Sequence, residues 1–302
     1  MSSDGAADHQ YLALVQDILQ NGLPRTHERT GVNTRAVFGR SMRFDLSNGR
    51  IPLLTTKRVN WHAIVHELLW FISGSTDANV LAAPPHNTHI WDANASRAFL
   101  DAHGFPESVR AQGDLGPIYG HQWRHAGAPY THASTTTDYT GKGTDQLRQC
   151  IETIRSDPQS RRIIITSWNV PDLPLMALPP CHILCHFWVG NNRDLSCLVY
   201  QRSCDMGLGV PFNIASYGLL LHLIARACGL SAGELVYNMG DSHIYETHVE
   251  ALSQQLKRQP TPPCPTVQLL KPAFFDIDTI TADDIILQDY APLPSISMPM
   301  AV

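Results

Sequence analysis

The 302-residue chain is predicted to form one α+β domain. Three observations carry that expectation. Apolar residues recur at helical spacing in three separated segments. Short runs rich in β-branched and aromatic residues, bounded by Pro or Asn-Asn, cluster in the second half. With 43% hydrophobic and 16% charged residues, the chain can bury an ordinary globular core. No internal repeat or low-complexity tract divides it, so residues 1–302 are treated as a single domain.

The first helix is expected over residues 9–20, where Tyr11, Leu12, Val15, Ile18 and Leu19 form an apolar stripe and Gly22 ends it. Residues 36–46 read as a strand. Residues 61–72 are apolar nearly all round and predict a buried helix, stopped by Ser73-Gly74-Ser75. Between residues 93 and 145 the composition shifts to Gly, Ala, Thr, Asp and His. Apart from the block 113–124, this region is expected to be surface insertions. Residues 163–166, 182–189 and 195–200 read as buried strands, and residues 213–228 as a long helix closed by Gly229. The Pro-rich segment 261–302 predicts one or two strands, and its end, Ile296-Ser297-Met298-Pro299-Met300-Ala301-Val302, is too apolar for a merely solvated tail.

A net charge of −5 supplies no global attraction to nucleic acid or an anionic membrane. A phosphate would have to be held by locally gathered arginines, so a small anionic ligand is expected rather than a polymer. Residues 1–10 lack the apolar core of a signal peptide, and no run approaches the roughly 20 apolar residues of a membrane span. A soluble, cytoplasmic protein is the expectation. Seven cysteines without disulfide-like rhythm read as reduced thiols.

Cys181 follows Pro179-Pro180 and opens a strand-like run, which stiffens its backbone and suits a nucleophile. A lone cysteine is more often structural. Reactivity requires the thiolate, which Arg202 or the Arg161-Arg162 pair would favour if the fold brings them close. Cys181 and Cys185 share a strand face but lie about 13 Å apart, too far to ligate one metal ion. Glu67 falls on one helix face with Ile64, Leu68, Phe71 and Ile72. Partial desolvation there would raise its pKa toward neutrality and suit proton transfer; a buried Glu paired with Arg or backbone donors is the equal alternative. Arg29, Arg161, Arg162 and Arg202 are candidate phosphate ligands because a guanidinium forks onto phosphate oxygens. Adjacent strand residues point oppositely, so Arg161 and Arg162 serve one phosphate only at an irregular strand end or across subunits. Asn213 offers a donor and an acceptor together, as an imide edge requires, or serves as a helix N-cap.

These residues lie in blocks that closely resemble thymidylate synthase: Arg29-Thr30-Gly31, residues 52–58, 66–71, 90–92, 113–124, 160–164, 178–182, 200–217 and 240–245. The resemblance runs from Arg29 to Val302. It implies a mixed β-sheet flanked by helices, with the sheet forming a homodimer interface. It implies reductive methylation of dUMP to dTMP, with 5,10-methylenetetrahydrofolate as carbon donor and reductant and dihydrofolate released. Carried over position by position, it makes Cys181 the nucleophile, with Glu67 and Tyr119 assisting. Arg29, Arg202, Ser203, Cys204, Asp205, Asn213, His243 and Tyr245 would bind dUMP, joined by Arg161 and Arg162 from the other subunit. Trp91, Asn94, Asp205, Leu208, Gly209, Phe212 and Ala301 would face the folate, with the apolar tail closing over both ligands. No metal is implied.

The chain departs from the family pattern at Glu28, where Asp is common, at Thr247, where Asn is common, and at Asp289, where Gly is common. Its insertions resemble those of eukaryotic and large-DNA-virus members, and the position of Arg29 near the start predicts a stand-alone enzyme. Two other enzymes compete with this reading. A hydroxymethylase shares the fold, but Asn213 favours uracil over cytosine, leaving one that acts on dUMP as the closer rival. A cysteine hydrolase would pair Cys181 with His182, yet strand neighbours face opposite ways. RNA binding, reported for some members, is secondary at most, given the negative charge and the lack of a basic stripe.

Overall fold

The computed structural model describes residues 6–26, 31–191 and 193–300. In chain order the elements are α1 (Ala6–Asn21), β1 (Leu23–Arg25), β2 (Thr34–Asp45), α2 (Trp61–Ile72), α3 (Ala78–Ala82), α4 (Asp92–Ala95), α5 (Arg97–Ala102), α6 (Tyr119–His125) and α7 (Gln146–Ser156). There follow β3 (Ile164–Thr166), β4 (His182–Val189), β5 (Asp194–Asp205), α8 (Gly209–Ala227), β6 (Ser231–Tyr245), α9 (Val249–Gln255), β7 (Thr266–Leu269) and β8 (Ile285–Gln288).

Six strands form one mixed sheet in the order β1-β2-β6-β5-β4-β3. Only β5 and β6 run parallel, because α8 carries the chain from the end of one back to the start of the other. Helix α8 packs on β5, β6 and α2, while α1 packs on β2 and β6. The apolar faces of these helices and the inward residues of the strands make one continuous core, which includes Ile18, Ile64, Phe71, Phe187, Val199, Leu221 and Tyr237. The remaining pair, β7 and β8, forms a separate two-stranded sheet. No helix among the described residues is long and apolar enough to cross a membrane.

Helix α2 has the bounds its apolar pattern predicts, and Asn60 caps it by accepting the Ala63 N–H at 3.2 Å. Three expectations need correction. Strands β3, β4 and β5 are covered on one face only: Leu184, His186, Leu198 and Tyr200 are half-buried, and Trp188 is 62% exposed. Helix α8 begins at Gly209, not at Asn213. The insertion region contributes to the interior: Leu100, Phe105, Ala133 and Tyr139 are buried, and the Asp114 carboxylate accepts bonds from Tyr130 and the Ala133 N–H.

Buried hydrogen bonds fix the segment between β2 and α2. The Asp8 carboxylate of α1 accepts the backbone N–H and hydroxyl of both Thr55 and Thr56. Lys57, next in line, donates to the Gly207 carbonyl at the approach to α8. The C-terminal segment runs back over these residues. Tyr290 donates to the Leu54 carbonyl and accepts from Val59 N–H, and Arg258 donates to both the Thr56 and Pro294 carbonyls.

Candidate active site

The backbone on either side of Cys181 is held by one residue. Arg202 donates its backbone N–H to the Cys181 carbonyl at 2.8 Å, its Nε to the Pro180 carbonyl at 2.8 Å and an Nη to the Pro179 carbonyl at 2.9 Å. The register between β4 and β5 shifts at His182/Leu184, a bulge of the kind that re-aims side chains beside sites. Cys181 is half-buried and outside any disulfide. The Trp168 ring supports the guanidinium at 5.5 Å. Two of five guanidinium N–H groups serve the prolines in these bonds, and the rest suit an anion.

From Cys181 a chain of contacts leads to Glu67. The Tyr119 phenol oxygen, at the start of α6, accepts the Cys181 N–H at 2.8 Å. The Tyr119 ring packs against Phe71 at 4.7 Å and Trp91 at 6.1 Å. Trp91 donates its indole N–H to Glu67 Oε1 at 2.8 Å. Glu67 is 6% exposed, so its desolvation is fuller than the helix pattern implied. Burial pushes its carboxyl from 4.5 up to about 7, and the Trp91 bond pulls it partway back. Both protonation states are therefore populated near neutrality. Burial, followed by the neighbouring Cys181, raises the Tyr119 phenol well above its usual range and keeps it a neutral hydroxyl.

His182 has no part in activating the thiol. Burial lowers it to about 3, and its Nδ1 is paired with the Tyr217 hydroxyl. It is a core histidine, which removes the cysteine-hydrolase pairing. Among the described residues no three His, Cys, Asp or Glu side chains are placed to hold a metal ion.

Asn213 is the fifth residue of α8, which removes the N-cap reading. Its Oδ1 accepts from Gln201 Nε2 at 3.2 Å, and Gln201 in turn donates to the Ser203 carbonyl at 2.8 Å and accepts from the Tyr237 hydroxyl. Gln201 and Tyr237 were not singled out from the sequence. Strand alternation signals Gln201, because it continues the buried face of Leu195, Cys197 and Val199 as a polar residue. The start of α8 is capped by Asp205, whose carboxylate accepts the N–H groups of Gly207, Leu208 and Gly209 at 2.8, 3.2 and 3.3 Å.

His243 lies beside Asp205 on the parallel β5–β6 ladder, bonds Asp241 at 3.0 Å and meets the Tyr245 ring at 5.3 Å. Leu208, Gly209 and Phe212 are half-buried at the start of α8, as are Asn94 and Trp91 around the start of α4. The Cys204 side chain is fully buried and donates to the Gln201 carbonyl, so only its backbone is available to a ligand. Arg161 and Arg162 are exposed and precede β3, whose Ile164 pairs with His186. At about 3.3 Å per residue they stand about 20 Å along β4 from Cys181, out of reach within one protomer. Arg29 and Ala301 lie outside the described residues.

A family model described as thymidylate synthase matches residues 9–302. The chain is 53% identical to the thymidylate synthase of Ascaris suum, across 98% of this chain and 97% of that one. It is 52% identical to the thymidylate synthase of Homo sapiens, across 97% and 90% of the two chains. A bifunctional dihydrofolate reductase-thymidylate synthase of Zea mays is also 52% identical, over the whole of this chain but 56% of its own.

Proposed function

The chain belongs to the thymidylate synthase family and methylates dUMP to dTMP, and we propose that Cys181 is its nucleophile. The thiolate adds to carbon 6 of the uracil ring and places negative charge on carbon 5. 5,10-Methylenetetrahydrofolate supplies the one-carbon unit and the reducing hydride, leaving as dihydrofolate. Glu67, acting through ordered water, assists loss of the carbon 5 proton, with the Tyr119 hydroxyl nearby. The observation that carries this reading is the contact chain Cys181–Tyr119–Trp91–Glu67, which ends on a buried carboxyl held near pH 7.

Arg202 and Ser203, with Arg29, grip the phosphate. Asn213, oriented by Gln201, reads the uracil edge, and His243 and Tyr245 bind the deoxyribose hydroxyl. Asp205 and the backbone of Cys204 complete the dUMP site. The half-buried faces of Trp91, Leu208 and Phe212, with the Asp205 carboxylate and Asn94, offer flat apolar surface and polar partners to a folate ring. Gly209 and Ala301 join them, and the tail closes over both ligands.

The active form is a homodimer built on the half-covered sheet face. Leu184, His186, Trp188, Leu198, Tyr200 and Val236 form an apolar surface that a second copy would cover. The distance of Arg161 and Arg162 from Cys181 within one protomer supports the reading that this pair serves the phosphate of the other subunit. A cytoplasmic location fits the chemistry of both substrates.

Tritium release from dUMP labelled at carbon 5, measured beside dihydrofolate formation by absorbance, tests the reaction. Folate-dependent release with matching dihydrofolate is expected, and release without dihydrofolate would instead mark a hydroxymethylase.

A further inference from the structure

His248 lies between the C-terminal segment and Asp205, and the sequence reading gave it no role. It is fully buried. Its Nε2 donates to the Pro299 carbonyl at 2.7 Å, and its Nδ1 faces Asp205 Oδ1 at 3.6 Å, an ion-pair separation with no hydrogen bond made. Gly207 makes room for the ring: a Cβ at that position would stand 2.2 Å from His248 Nδ1.

Both ring nitrogens thus face acceptors. A carbonyl can only accept, so Nε2 must carry a proton whenever the tail is held. In that neutral tautomer Nδ1 is a bare lone pair aimed at a carboxylate. Only the imidazolium, protonated at both nitrogens, suits Pro299 and Asp205 together. We propose that His248 is a proton-operated latch that ties the C-terminal segment, through the Pro299 carbonyl, to the Asp205 carboxylate. The proposal deepens the reading of Asp205 as a folate contact and rests on it, since closing the tail and presenting Asp205 become one event.

The surrounding charges agree with this. Burial disfavours the cation, but Asp205 and the Pro299 carbonyl outweigh it, and His248 is raised above 6.5 with Lys57 opposing. Burial raises Asp205, yet His248, the Gly207 N–H and His243 bring it below its ordinary value. Lys57, from the segment before α2, is lowered to about 8 by burial, with Asp205 opposing. From β6 the Tyr245 ring meets His248 at 5.4 Å. From α1 the buried Tyr11, raised by burial and then by Asp205 and Asp8, stays neutral. A raised histidine stabilises its bound state below its unfolded pKa and loses that contribution as pH rises through the folded value. The latch is therefore closed in mild acid and opens as pH rises through the raised value of the folded histidine.

The test is carboxypeptidase trimming of the ligand-free, full-length dimer, followed by mass spectrometry, for wild type, His248→Gln and His248→Ala. Gln keeps a neutral donor toward Pro299 but takes no second proton; Ala keeps nothing. Relative to His248→Ala at the same pH, wild type should be protected about tenfold near pH 6 and only slightly near pH 8.5, as one charge-assisted bond predicts. His248→Gln should be equally protected at both. Wild-type protection that does not change with pH, or is absent, overturns the latch. Should His248→Ala fail to fold, the ratio of wild type to His248→Gln across pH decides. The KM for methylenetetrahydrofolate in Asp205→Asn separates the underlying reading: an unchanged value removes Asp205 from the folate site and leaves the trimming result standing.

Discussion

Trp91 donates its indole N–H to the Glu67 carboxylate at 2.8 Å, and this is the polar contact that tempers the burial of a group pushed up to about 7. A donor to the ionised form lowers a carboxyl's pKa, so removing it must raise the value further. In Trp91→Phe, the limb of the kcat/KM profile that reports Glu67 should move to higher pH. A profile unmoved from wild type would show that some other group titrates there.

Glu67→Gln should divorce activity from stability. Turnover should fall about 10²- to 10⁴-fold with dUMP binding nearly intact, the usual range for a lost proton-transfer group. A buried carboxyl raised from 4.5 to about 7 binds its proton more tightly when folded, so wild-type stability declines as pH rises between those values. The neutral amide escapes that decline. The variant should be more stable than wild type by about 3 kcal/mol near pH 8 and little different near pH 4.5. Denaturant melts at the two pH values check both halves, and equal stability differences would remove the desolvation argument.

Local pattern revealed much of this, and the failures share one cause. Helix α2 was readable because its residues are apolar nearly all round and Ser73-Gly74-Ser75 stops it. Glu67 stood out as the one acid on its buried face. The start of α8 was misplaced because Gly209 and Pro211 look like helix breakers, while the real cap, Asp205, acts through backbone N–H groups before the first turn. Phe105 and Tyr139 sit among loop-forming residues, so composition hid their burial. Gln201–Tyr237 and His248–Pro299 are contacts between residues 36 and 51 positions apart, which no local window encodes.

Arg161 and Arg162 make the shared site testable by mixing. A Cys181→Ala chain and an Arg162→Ala chain should each be inactive as homodimers. Equal mixing and reassociation should restore about a quarter of wild-type activity, since half the dimers are hybrids and each hybrid has one intact site of two. No recovery, with subunit exchange confirmed by mass, would place the phosphate within one protomer.

Asp289 adopts φ 58°, the left-handed region where a side chain is strained and glycine is not. That conformation suits glycine, the residue that the resemblance implies at this position. The chain must turn at this point because Tyr290 is fixed by Leu54 and Val59. Asp289→Gly should stabilise the fold by about 1 kcal/mol and raise Tm by about 2 °C with kcat unchanged. A lower Tm would mean that the aspartate side chain contributes more than its backbone strain costs.

Tyr237 donates its hydroxyl to Gln201 Oε1, and the other end of that amide donates to Asn213 Oδ1. The Ser203 carbonyl, which can only accept, sets which way the Gln201 amide faces, and the phenol braces its other end, although it is fully buried and is assigned no contact with dUMP. In Tyr237→Phe, a buried acceptor on Gln201 loses its donor, costing about 1–3 kcal/mol of stability. Gln201 keeps its bond to the Ser203 carbonyl, which can only accept, so its amide does not reverse; it loses support on the other side and its aim at Asn213 Oδ1 loosens. The KM for dUMP should rise about two- to threefold with kcat nearly unchanged, because Asn213 is aimed less firmly at the imide edge. A purely structural tyrosine would lower Tm and leave the KM where it was.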